Sequence, residues 1–173
     1  MDNLKIIALA YSLASDMFNG WRENRRLSDG SFLPMIKKSK DEEWNLIHGT
    51  DEVDIANCPF EDLPSNWQFE YLESAKEAIS LVFNKVMNRN KITNEQITEM
   101  AEILHEKWLE RNDWVFDQNY GYPILAVPYK QLPDNEKEKY KNQFGPAIQK
   151  VKDYLDGLIS IDEICDKFNI RFD

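Results

Sequence analysis

A helix-patterned stretch ending in tryptophan is written twice in this chain, and no other feature narrows its fold as far. Residues 97–112, ITEMAEILHEKWLERN, have a diverged counterpart 87 positions earlier in AYSLASDMFNGWREN. Setting Trp108 over Trp21 also sets His105 over Phe18, Leu104 over Met17, Ala101 over Ala14, Met100 over Leu13 and Glu110 over Glu23. In both copies the apolar residues recur at spacings of three and four, the signature of an amphipathic helix. A second correspondence, 69 residues apart, sets Ile55, Pro59, Phe60, Leu63, Pro64, Tyr71, Ala78 and Ile79 against Ile124, Pro128, Tyr129, Leu132, Pro133, Tyr140, Ala147 and Ile148. The recurring unit is a helix, a loop, a short extended piece with a leucine-proline corner, and a second helix. Neither copy can bury its apolar face alone, so the two are expected to share one core about a pseudo-twofold axis.

The expected fold is therefore mainly α: two pseudo-twofold related helix-loop-short strand-helix repeats forming one domain over residues 1–173, with a small two-stranded β element and a short C-terminal helix. Repeat one covers about 3–88, repeat two about 93–157, and a C-terminal extension about 158–173. The first helix is expected over Asn3 to Arg26. Ser65 with Gln68, and Thr93 with Gln96, have the spacing of reciprocal capping boxes and mark the next two helix starts. A fourth helix is expected from Asp134 through Leu155, and Ser160 with Glu163 signals the last. The apolar pieces VDIANCPF and PILAVPY, each closed by prolines, are expected to pair with one another as the ribbon.

Composition removes several classes of function. A formal charge of -10 disfavours duplex nucleic acid, whose phosphates need clustered lysine and arginine. Only the segment from Asp16 to Lys40 runs the other way, with Arg22, Arg25, Arg26, Lys37, Lys38 and Lys40 against Asp16, Glu23 and Asp29. No apolar run reaches the roughly 18 residues of a membrane span, and MDNLKII has an acid where a secretory signal has bases. Two cysteines, Cys58 and Cys165, with no CxxC and no cysteine-histidine spacing, point to a reduced cytoplasmic setting with neither disulfide nor zinc. His105-Glu106 lacks the second histidine of HExxH, and no glycine-rich phosphate loop occurs. No nucleophile stands beside the acids Asp54, Glu61 and Asp62. No catalytic residue, metal or cofactor is expected, and the chain reads as other than an enzyme.

Met100, Ala101, Glu102, His105, Trp108, Trp114 and Phe116, followed by Ala126, Val127, Pro128, Tyr129, Leu132, Pro133, Glu136, Lys137 and Glu138, resemble the ryanodine receptor repeat. That module occurs in tandem in large calcium-release channels and alone in bacterial and phage proteins. The first half resembles the partner repeat of the solitary forms through Trp21, Arg25, His48, Gly49, Val53–Ala56, Pro59–Pro64 and Trp67. It departs from the pattern where Phe18 replaces the histidine, and the second half departs where Asn112 stands for the usual arginine. The resemblance implies a pseudosymmetric, mostly helical binding domain associated with nucleotide signalling and immune systems, in the host cytoplasm if phage-encoded.

The residues give that implication a chemical form. Under a pseudo-twofold, Trp21 and Trp108 face one another across a cleft and stack a planar base between them, each contact worth about 1–3 kcal/mol. Phe18 and His105 wall the cleft, while Arg22, Arg25 and Arg111 reach a phosphate or stack on a ring. The competing expectation makes the tryptophans core residues and His105 a satisfied buried histidine. Trp44 and Trp67 are expected to pack. The partner expected is a nucleotide-like small molecule, with a homo-oligomer left open; the alternative is a module that docks a protein through the same aromatic faces.

Overall fold

Helix α1 spans Asn3–Glu23 and buries Ile6, Ala10, Leu13, Ala14 and Phe18 of the apolar stripe, with Ala8 and Leu9 beside it, while Ile7, Met17 and Trp21 are only partly buried. The computed structural model describes residues 3–86, 91–117 and 121–171. After α1 come strand β1 (Ile36–Lys38), helix α2 (Glu42–His48), strand β2 (Glu52–Asp54), and helices α3 (Ser65–Val86), α4 (Asn94–Arg111), α5 (Asp134–Lys141), α6 (Phe144–Leu155) and α7 (Ile161–Lys167). The protein is mainly helical, with one two-stranded antiparallel sheet and a short C-terminal helix. No helix among the described residues is long and apolar enough to cross a membrane. Packing divides the chain into two compact units, Met1–Ala75 with Ile161–Asp173, and Lys76–Ser160.

In the first unit α1 stops at Glu23, short of the expected Arg26. The chain turns there because Asp29 accepts from the Ser31 backbone N–H and hydroxyl, while Gly30 takes φ +88°, a left-handed geometry that glycine adopts without strain. Arg26 then forms an isolated antiparallel bridge with Phe32. The ribbon also differs from expectation. Strand β2 pairs with β1 in the register Ile36 to Asp54, Lys37 to Val53 and Lys38 to Glu52. Residues 123–129 form no strand, and the Leu125 and Ala126 N–H groups fold back on the Tyr122 carbonyl. Chain entropy favours the nearer partner. Pairing across 16 residues closes a far shorter loop than the expected 69, a difference of about 1 kcal/mol, and Pro123 and Pro128 have no N–H to give.

Asp41 ties the elements of this unit together. Its carboxylate accepts from Trp44 N–H as the N-cap of α2 and from Ser65 N–H at the start of α3, both at 2.9 Å. Those bonds hold its pKa below the usual carboxylate value. The capping box expected at Ser65 and Gln68 is therefore replaced: Gln68 Nε2 reaches the carbonyls of Phe60 and Glu61 instead. At the other end of the unit α7 packs on α1, with the Tyr11 and Phe168 rings 5.7 Å apart and Ile164 buried.

In the second unit the box at Thr93 and Gln96 forms as expected, with both reciprocal bonds present. The helix expected from Asp134 to Leu155 is broken into α5 and α6. Pro146 lacks the N–H that would bond the Asn142 carbonyl, and its ring crowds that carbonyl, so the chain breaks at 142–143.

Each unit carries the same corner. Phe60–Asp62 and Tyr129–Gln131 are single 3-10 turns, entered from Pro59 and Pro128 and left through extended Leu63 and Leu132. Phe60, Leu63, Tyr129 and Leu132 are all under 5% exposed, and burying each such side chain stabilises its unit by about 1.5–3 kcal/mol.

Candidate functional site

The corner and the helices before and after it bring four rings together in each unit. In the first, Phe18 lies 5.6 Å from Trp21, 5.8 Å from Phe60 and 5.5 Å edge-on to Tyr71, with Phe60 and Tyr71 6.4 Å apart. In the second, His105 lies 6.2 Å from Trp108, 6.3 Å from Tyr129 and 5.0 Å edge-on to Tyr140, with Tyr129 and Tyr140 6.3 Å apart. The four contacts match pair for pair, so the repeat read in the sequence extends to local ring geometry. In both quartets the central ring is fully buried and the tryptophan stays partly exposed at the edge. Tyr71 and Tyr140 belong to the matched residues of the two copies but were not among the expected site residues; they complete the cluster.

The central ring is where the quartets differ. Phe18 is 1% exposed and purely apolar, whereas His105 is 0% exposed and uses both ring nitrogens. Nε2 lies 2.7 Å from the Val127 carbonyl, which can only accept, so Nε2 carries the hydrogen. The Tyr140 hydroxyl, 2.9 Å from Nδ1, then donates to it. Burial raises the Tyr140 pKa well above its ordinary value, reinforced by Glu136 and opposed by Arg111. His105 is thus a satisfied structural histidine that fixes the turn before Pro128, and it does not wall an open cleft.

Two of the three expected phosphate-reaching arginines are committed to the protein. Arg22 Nε donates to the Ala56 carbonyl at 2.8 Å, and its guanidinium lies 4.4 Å over the Phe32 ring. Arg25 gives hydrogen bonds to the carbonyls of Leu33 and Pro34 and lies 5.5 Å over Trp21, covering part of that ring. Both secure the loop after α1. In the second unit, Arg111 Nε and Nη2 are sealed from solvent and meet no acceptor.

Trp108 is presented differently from Trp21. Among the described residues no cation covers its ring, and Trp114 meets it edge-on at 6.5 Å. Asn112 is 7% exposed; it donates to the Trp108 carbonyl and accepts from Trp114 Nε1. It fixes the Trp114 indole through Nε1 and closes the end of α4 at the Trp108 carbonyl. Trp44 and Trp67 are packing residues, their indole N–H groups on the carbonyls of Asp62 and Lys38.

Among the described residues, open clefts also lie away from the quartet rings. One of about 550 Å³ in the first unit is lined by Trp44, His48, Cys58, Glu61 and Asp62 among others; another of about 460 Å³ in the second is lined by Asn94, Thr98, Glu138 and Lys141. Burial, then the charge of Asp62, pushes the Cys58 thiol up to about 11, so it is no activated nucleophile at neutral pH. Among the described residues no three His, Cys, Asp or Glu side chains gather as a metal site. No family model, curated protein or solved structure matches this chain, so the reading of the site stands on its own residues.

Proposed function

We propose that the chain is a non-catalytic binding module that captures a flat, nucleotide-derived small molecule by stacking it on Trp108. The observation that carries this reading is the indole itself. Trp108 stands at the edge of its quartet, met edge-on by Trp114 and partly exposed, and no cation among the described residues covers its ring. An aromatic platform fixed in advance loses little entropy on binding, and each stacked base is worth about 1–3 kcal/mol. Trp21 offers a second, weaker platform in its own unit, since Arg25 already occupies part of its ring. The resemblance to the ryanodine receptor repeat supports the ligand class and a role in phage or bacterial immune signalling. The test is a thermal-shift screen over adenine nucleotides, cyclic oligonucleotides and ADP-ribose. A ligand at 100 times its dissociation constant adds about 2.7 kcal/mol, and Trp108→Ala is expected to abolish that gain. The ligand should be recovered intact from denatured protein; recovery of a cleaved product would make the chain an enzyme.

A second reading has its own support. Trp114, Phe116, Tyr122 and Ile124 are each more than half exposed in the same segment of the second unit, and clustered aromatics of this kind serve as hot spots for a docked protein or a second copy. Sedimentation that depends on concentration and is abolished by Trp114→Ala would favour docking.

A further inference from the structure

Helix α2 carries its aliphatic side chains on the outside. Leu46 is 85% exposed and Ile47 71%, and no residue of the helix is buried. Trp44 and His48, one turn apart on the same helix, line the cleft of about 550 Å³ in the first unit. At about 100° per residue Leu46 falls on the far side from them and Ile47 between, so the apolar pair runs from the cleft rim over the outside of α2.

The polar atoms this cleft leaves free are acceptors. Its Trp44 indole N–H is spent on the Asp62 carbonyl, and Asn57 Nδ2 on the Phe32 carbonyl and Asp54. The Trp44 carbonyl lies 2.8 Å from His48 Nδ1 and can only accept, so Nδ1 carries the hydrogen and Nε2 keeps a lone pair. The Glu61 and Asp62 carboxylates have no hydrogen bond or ion pair with a described residue, whereas Glu52 lies 3.4 Å from Lys38 and Asp54 accepts from the Met35 and Ala56 N–H groups. Cys58 registers the resulting field: burial raises its thiol first, and the charges of Asp62, Asp54 and Glu61 raise it further against the pull of Arg22.

Negative charge and free acceptors beside a bare apolar ridge are complementary to a cation with an aliphatic neighbour. Guanidinium fits best, because it is planar, stacks on an aromatic face such as the exposed His48 ring and gives parallel donors to carboxylates. The described arginines of the chain are engaged elsewhere: Arg22, Arg25, Arg26 and Arg171 give Nε–H within their own fold, and Arg111 is sealed. A second copy is therefore the poorer source. We infer that this face docks a basic segment of a different protein, one arginine entering the cleft beside His48, Glu61 and Asp62 while an apolar neighbour packs on Ile47 and Leu46. A helix is about 10–12 Å across, so about two to four extended residues link the two anchors. The face belongs to the first unit and is independent of stacking at Trp108 in the second.

The probes are acetylated alanine-based peptides carrying one arginine and one leucine at varied spacing, with argininamide as the cation alone. Binding is read from nitrogen–proton correlation spectra of the full chain, in which the Trp44 indole N–H reports the cleft. Expected is a saturable shift of that peak and of the Ile47 and His48 amides, strongest when about two to four residues join the anchors. Neutral citrulline in place of the peptide arginine should weaken binding about tenfold, as should Glu61→Gln combined with Asp62→Asn. Leu46→Ser combined with Ile47→Ser should weaken the peptide about tenfold and leave argininamide unchanged. These four side chains are exposed, so the variants should fold, and the citrulline arm needs no variant at all. Trp108→Ala should change nothing here. No shift with any peptide, equal binding of the citrulline form, or argininamide bound as tightly as the best peptide would overturn the docking face. Self-association abolished by Leu46→Ser, with no peptide bound, would give the face to a second copy and overturn it equally.

Discussion

Replacing His105 by phenylalanine writes the first quartet's solution into the second. The substitution keeps a ring of similar shape among Trp108, Tyr129 and Tyr140, but it removes both ring nitrogens from a site that is 0% exposed. The Val127 carbonyl loses its donor and the Tyr140 hydroxyl its acceptor, bonds of 2.7 and 2.9 Å. A buried polar group left without its partner costs about 1–3 kcal/mol. Val127 and Tyr140 are only partly buried, so water recovers some of that, and the combined penalty falls near 2–4 kcal/mol. The phenyl ring returns about 1 kcal/mol by apolar burial. The net expectation is a loss of about 1–3 kcal/mol, or a melting temperature lower by roughly 2–12 °C for a chain of this length. Urea unfolding followed by circular dichroism measures it. Tyr140→Phe completes a double-mutant cycle: it should be costly in the wild type and nearly neutral beside His105→Phe, a coupling of about 1–2 kcal/mol. A His105→Phe protein as stable as the wild type, or a coupling of zero, would show that His105 contributes only as a packed ring.

Asp41→Ala removes one carboxylate that serves two helix starts and should cost about 1–3 kcal/mol in urea unfolding; a change below 0.5 kcal/mol would contradict the capping role. The pKa of Asp41 is lowered in the folded protein by the Trp44 and Ser65 N–H groups. For Asp54, burial acts to raise the pKa, but hydrogen bonds from Met35, Asn57 and Ala56 outweigh it and the net shift is downward. A depressed folded pKa gives stability that is present above the unfolded value and lost as pH falls through the folded one. Unfolding free energy should therefore hold near neutrality and decline below about pH 4, less steeply in Asp41→Asn; an unchanged acid limb in that variant refutes the assignment. Cys58, held up at about 11, should react with iodoacetamide at pH 8 about 10- to 100-fold more slowly than a free thiol, and equal rates would mean the thiol is exposed. Pro146→Ala should let α5 run on toward α6 and deepen the 222 nm ellipticity by about one helical turn, whereas an unchanged spectrum would place the break elsewhere.

The legible parts of this fold are those where a local rule acts alone. Thr93 and Gln96 cap α4 as their spacing predicts, while the same spacing at Ser65 and Gln68 loses to Asp41, which lies 24 residues earlier. The proline corners were readable because PFEDLP and PYKQLP fix backbone angles themselves. The ribbon was misread because VDI and ILAV look alike, and the true partner, Ile36–Lys38, carries two lysines in a stretch without periodicity. Pro146 did announce its break, but the apolar spacing continues through it and hid it. At the site, the matched positions of Trp21 and Trp108 pointed to two rings that stand at the edge of like quartets. Arg22 and Arg25 were read as ligand groups because a sequence does not show that three loop carbonyls stand waiting for them. Arg111 was readable as an arginine near tryptophan, but the burial of its Nε and Nη2 is visible only in three dimensions.

The most direct measurement is indole emission during titration with phosphorylated adenine ligands, in the wild type and in a folded Trp108→Phe variant. Five tryptophans contribute to the signal, and a base stacked on Trp108 should quench a saturable fraction of it that disappears in the variant. Equal quenching in the Trp108→Phe protein, or none in the wild type with any ligand of the panel, would contradict binding at Trp108.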